Sequence, residues 1–131
     1  MIKNIRIETK KYKTYPSFEA LPKNTQKVCE ALVWLDKYRR SAYLDDDGNL
    51  APTNNDISRL SEVSSGISNH LGVLDKNGYI IVTYSYHTYD SDDSDSNKIF
   101  RSHAIQVLDK AKKAIEAQKN KNFEGGKQNV I

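Results

Sequence analysis

The chain has one cysteine, one methionine, one tryptophan and three prolines in 131 residues. A single cysteine cannot close an internal disulfide, so a disulfide scaffold is excluded and a reducing compartment is expected. A Cys/His zinc module is not expected for the same reason. No apolar run approaches the roughly 20 residues of a membrane helix, and the mean hydropathy is −0.72. Met1 to Lys13 is basic and polar with no apolar stretch, so no secretory leader is expected and the location reads as cytoplasmic. The phosphate-loop, zinc-protease and serine-hydrolase signatures are missing. Gly125-Gly126-Lys127 is followed by neither Ser nor Thr, and the three histidines are scattered. No nucleophile has a base at useful spacing. No catalytic residue, metal ligand or cofactor is expected, and the chain does not read as an enzyme.

What is present is one modest core and an uneven charge. Hydrophobic residues make up 37% and charged residues 28%, with a net charge of +3. Residues 1–42 carry Lys3, Arg6, Lys10, Lys11, Lys13, Lys23, Lys27, Lys37, Arg39 and Arg40 against only Glu8, Glu19, Glu30 and Asp36. Two acidic blocks, Asp45-Asp46-Asp47 and Asp90 to Asp95, offset them. This polarity suits an oriented encounter with an anionic partner, although a merely solvated surface would look the same.

Along the chain, residues 1–20 read as a basic arm in which Ile5 and Ile7 suit a short strand and Pro16 breaks any regular element. Residues 24–42 predict a helix with Val28, Ala31, Leu32, Leu35 and Ala42 on one stripe. Cys29, Val33 and Trp34 widen that stripe, which places the helix centrally or in a subunit interface. Cys29 reads as a small buried hydrophobe. Asp45 to Asn49 is a turn around Gly48. Thr53 can cap a short helix with Asp56 three residues on, and Ile57, Leu60 and Val63 give it a buried side. Ser64-Ser65-Gly66 interrupts. Ser64 or Ser65 then caps a second helix with Ile67, Leu71 and Leu74 inward and Gly78 at its stop. Residues 79–89 and 98–108 predict two antiparallel strands around a polar tip. A last helix follows from Asp109 to about Lys119, with Ala111, Ala114, Ile115 and Gln118 on one side. It packs on its own domain or pairs across a two-fold axis. Residues 120–131 lack periodicity and are expected to form a disordered tail.

Two helices about three residues apart have the spacing of a helix-turn-helix. With the hairpin and last helix, the segment Ile57 to Ile80 resembles the core pattern of a winged helix. Leu108-Asp109-Lys110-Ala111-Lys112-Lys113-Ala114 resembles the closure after the wing in MarR-type regulators, with Ala111 where Gly is usual. Leu21 to Ile80 is also similar to winged helices of phage and plasmid replication proteins, with Ser61 where Ala is usual. The expected fold class is therefore α+β: a winged helix-turn-helix over residues 21–119 with a long two-stranded wing and a C-terminal helix. The resemblance implies a sequence-preferring double-stranded DNA-binding protein, a homodimer, and use in transcriptional regulation. Plasmid or phage replication or segregation is the alternative DNA role. An adaptor that binds proteins through its acidic wing is the alternative of a different class.

In such a fold the helix starting near Ser65 enters the major groove by its N-terminal end. Its outward residues would be Ser65, Gly66, Ser68, Asn69, Gly72 and Lys76, with His70 flanking. Asn69 is the candidate for adenine readout, because an amide pairs bidentately with N6 and N7. Ser68 suits a base or a phosphate, Lys76 a phosphate. Gly66 and Gly72 remove side chains and would let the helix sit deep. Thr53 and Asn54 offer backbone N–H groups to another phosphate. The wing tip is a difficulty, because Asp90, Asp92, Asp93 and Asp95 repel phosphate. Either the tip points away and Lys98 and Arg101 on the stem make contact, or it takes a protein partner or another subunit's basic arm, or it binds Ca²⁺.

Overall fold

The computed structural model describes residues 3–88 and 99–128. Its elements are β1 (Lys3–Arg6), α1 (Lys23–Tyr38), a 3-10 turn (Ser41–Tyr43), α2 (Asn54–Ser61), α3 (Ile67–Lys76), β2 (Ile80–Thr88), β3 (Ile99–Val107) and α4 (Asp109–Gln128). The architecture is α+β, with four α-helices and a three-stranded antiparallel sheet in the order β1-β2-β3. No helix among the described residues is long and apolar enough to cross a membrane.

The core forms where three helical stripes and one sheet face meet. From α1 come Val28, Cys29, Leu32 and Leu35; from α2 and the turn after it, Ile57 and Val63; from α3, Ile67, Leu71 and Leu74. Tyr79, Ile80, Val82, Ile105 and Val107 close it from the hairpin side. The two-residue period of β3 puts Ile105 and Val107 on this buried face, opposite Val82 and Ile80 in register. Burial pushes the Cys29 thiol up to about 12, so it stays protonated and packs as a hydrophobe.

Three expectations change. The first helix stops at Tyr38, short of Ala42, because Arg39 turns left-handed (φ 41°). Its guanidinium holds that turn by donating to Asp36 Oδ1 at 2.9 Å and to the Gly48 carbonyl. The last helix runs on to Gln128, so residues 120–128 are helical where a disordered tail is expected. Once a helix is nucleated, each further residue adds a hydrogen bond without a fresh nucleation cost, even without an apolar stripe. Ala111 and Ile115 of α4 are buried in the chain's own core, so α4 packs on its own domain.

The third change concerns residues 1–20, expected to be an arm. β1 pairs along β2, from Lys3 opposite Tyr86 to Arg6 opposite Thr83. Phe18 and Leu21 enter the core, and the Phe18 ring meets Tyr79 edge-on with centroids 5.8 Å apart. An edge strand leaves N–H and C=O groups unpaired, and β1 covers that edge of β2. The described part of the segment, residues 3–20, thus packs on the sheet and the core.

Asp75, at the end of α3, anchors this arrangement. Its carboxylate is buried, accepts the Val82 N–H at 2.8 Å and pairs with Arg6 at 3.0 Å. Asp75→Ala should destabilise the fold by about 2 kcal/mol in urea unfolding, because it strands the buried Val82 N–H. Arg6→Ala should cost less, about 1 kcal/mol, because the Arg6 side chain is 59% exposed and the Val82 bond survives.

Candidate functional site

The turn between α2 and α3 is built by backbone geometry. Glu62 ends α2 in the left-handed region (φ 62°), and Ser58 Oγ donates to the Val63 carbonyl at 2.6 Å. Gly66, itself left-handed at φ 74°, is the N-cap of α3. The expected serine cap is absent: Ser64 and Ser65 lie exposed before Gly66, and no side chain caps the helix. The first backbone N–H groups of α3 therefore lack a capping side chain, an arrangement that favours anions.

The preceding helix is capped as expected. Thr53 Oγ1 accepts the Asp56 N–H, and Asp56 Oδ2 accepts the Thr53 N–H, both at 3.0 Å. That backbone N–H holds the Asp56 carboxyl below its usual range. The reciprocal bond also occupies the Thr53 N–H, so Thr53 cannot offer that donor to a phosphate. Asn54 reaches the other helix instead, with Nδ2 donating to Ser68 Oγ at 3.1 Å. Thr53, Asn54, Ser65, Gly66, Ser68 and Asn69 are all exposed, and together they make one polar surface over the helix starts. Asn69 stands beside the Asn54–Ser68 bond with its amide open to solvent.

His70 is half-buried and faces inward. Its Nδ1 is hydrogen-bonded to Thr25 Oγ1 at 2.8 Å, and Thr25 is buried at the start of α1. Burial pushes the imidazole below its ordinary 6.5, which favours the neutral ring that can share this bond. His70 therefore fixes α3 against α1.

Gly72 is a correction. It was expected on the outward face but is buried under the Tyr12 ring. A Cβ at residue 72 would stand 2.2 Å from Tyr12 Cε2 and Cζ. The chain that brings Tyr12 there is held by Asn77, whose Oδ1 accepts the Tyr15 N–H at 2.7 Å and whose Nδ2 donates to the Lys13 carbonyl at 3.0 Å. Lys110 Nζ in turn donates to the Asn77 carbonyl at 2.6 Å. The C-terminal half of α3 is thus roofed by residues 12–15, and Lys76 is half-buried beside them. Only the first turn of α3 is open.

Lys98 and the acidic tip, Asp90 to Asp95, lie outside the described residues. Of Arg101 only the backbone is described, opposite Tyr86 in β3. Among the described residues no group of three His, Cys, Asp or Glu side chains is placed to hold a metal ion. Sequence reasoning missed Tyr12, Thr25, Asp75 and Asn77. Asp75 and Asn77 look like ordinary polar residues at a helix end, and nothing local marks a tyrosine 60 residues away as the lid of a glycine.

The Tyr12–Gly72 contact predicts a sign reversal. Gly72→Ala should destabilise the protein by roughly 1–2 kcal/mol, because overpacking outweighs the gain in helix propensity. In a Tyr12→Ala background the same change should stabilise it by up to about 1 kcal/mol. A double-mutant cycle by urea unfolding measures both.

Compared with known proteins, the chain matches no protein-family model, no curated protein and no solved structure.

Proposed function

We propose that this chain is a winged helix-turn-helix protein that binds double-stranded DNA with sequence preference, as a dimeric transcriptional regulator. The observation that carries the reading is the open first turn of α3. It is polar, uncapped and shared with the start of α2, and it is followed by a long antiparallel hairpin. A helix end of this kind presents short donors and acceptors to base edges and backbone N–H groups to a phosphate. Asn69 is the base-reading side chain. Ser68, held by Asn54, orients toward the same surface. Gly72 takes no part in contact, and the readable stretch of α3 is accordingly short. A short readout surface calls for two copies on a two-fold operator.

The surface for the second copy lies on α1. Trp34 and Tyr38 are exposed at 38% and 52%, with rings 5.0 Å apart. Beside them runs a groove of about 470 Å³, lined by Ala31, Val33, Leu60 and Ile115 and flanked by Lys27, Lys119, Glu30 and Glu62. Exposed aromatics are enriched in interface cores, and flanks of both charge signs are self-complementary across a two-fold axis. Light scattering should give twice the 14.9 kDa chain mass, and Trp34→Glu should return the monomer. A wild-type monomer at high concentration would remove the dimer from the reading.

The DNA reading is tested by anisotropy on duplexes from the protein's own upstream region and on random duplexes of equal length. Preferential binding is expected. Asn69→Ala should relax preference at one base position by about 1–3 kcal/mol. No binding to either duplex would sink the reading and favour a protein adaptor.

A further inference from the structure

The N-terminal segment that crosses α3 at Gly72 and Asn77 carries three cations. Lys10, Lys11 and Lys13 are exposed, and among the described residues no carboxylate forms a salt bridge with their ammonium groups, while Glu8 Oε1 accepts the Lys10 backbone N–H at 3.2 Å. Their backbone is fixed from both sides. Ile7 donates to the Val82 carbonyl, the Tyr12 N–H closes a turn onto the Thr9 carbonyl at 3.0 Å, and Asn77 grips Lys13 and Tyr15. Tyr12 seats in the gap left by Gly72. The lysines therefore stand on a strap pinned to α3, with Lys11 Nζ 5.1 Å from the Tyr12 ring centroid and Lys13 Nζ 5.5 Å from that of Tyr15. At about 1.5 Å of rise per residue, Gly72 lies only about 4–5 Å along the helix axis from Asn69. The major groove is about 12 Å wide between its phosphate walls. A duplex whose groove receives the first turn of α3 brings one of those walls over the strap.

We infer that Lys10, Lys11 and Lys13 form a phosphate-contact surface for duplex DNA, positioned on α3 by the Tyr12–Gly72 and Asn77 contacts. The inference rests on the DNA-binding reading and names the residues that supply its sequence-independent affinity. Tyr12 occupies the helix face that a groove-filling glycine would otherwise leave open. The strap thus exchanges base contact along the second half of α3 for backbone contact beside it.

The test measures binding to a random duplex over a salt series. Each phosphate neutralised contributes about 0.9 to the slope of log K against log salt. Lys10→Gln/Lys11→Gln should make that slope shallower by about 2 and weaken binding to random and preferred duplexes alike. Lys112→Gln/Lys113→Gln removes the same charge from α4 and should leave the slope nearly unchanged. An unchanged slope in the first variant, with wild-type binding intact, overturns the inference and leaves the DNA reading standing. Equal slope changes in both variants also overturn it, because the effect would then be net charge and not position. Failure of the wild type to bind either duplex ends both.

Discussion

Two buried polar side chains at the end of α3 hold together parts of the chain that are far apart in sequence. A carboxylate or an amide taken out of water must find hydrogen-bond partners, or it costs more than the packing around it returns. Asp75 meets this demand with the Val82 N–H and Arg6, and Asn77 with the Tyr15 N–H and the Lys13 and Val73 carbonyls. Apart from Val73 in α3 itself, the partners come from β1, β2 and the segment before α1. Among the described residues no buried side-chain N or O is left unsatisfied. The position of α3 is thus set by apolar packing on its inner side and by these specific bonds at its C-terminal end.

This placement decides what α3 can present. The helix is buried at Ile67, Leu71, Val73 and Leu74 by the core and at Gly72 by Tyr12. What stays open is a short turn, extended sideways by Asn54 and the start of α2. The proposed DNA surface is for this reason compact and composite. It draws its base-reading group from one helix, its support from another and its cations from the N-terminal strap. His70 belongs to the frame, because its bond to Thr25 ties α3 to α1.

Element types were legible because local chemistry reports them. The Thr53–Asp56 cap, the left-handed Gly78 after α3 and the alternation in β3 all follow from short-range rules, and the structure has each of them. The end of α1 was less legible, because Arg39 leaves the helical region through contacts to Asp36 and Gly48 that no propensity encodes. The open half of the candidate site was legible at Ser68 and Asn69. Its closed half was not, since Gly72 falls on an outward position by helical spacing alone.

Local patterning along the chain specifies the order and kind of the elements, the inward stripes of α1 to α3 and the excess of cations near the N-terminus. Periodicity fixes which side of its own element a residue takes, and caps and glycines fix where elements end. Long-range contacts alone make residues 3–20 a strap and not an arm, lay Tyr12 over Gly72, and bury Asp75 and Asn77. Whether an outward face stays open depends on which distant segment returns to cover it. That choice rests on hydrogen bonds and close packing between residues 60 or more positions apart, which no local pattern records.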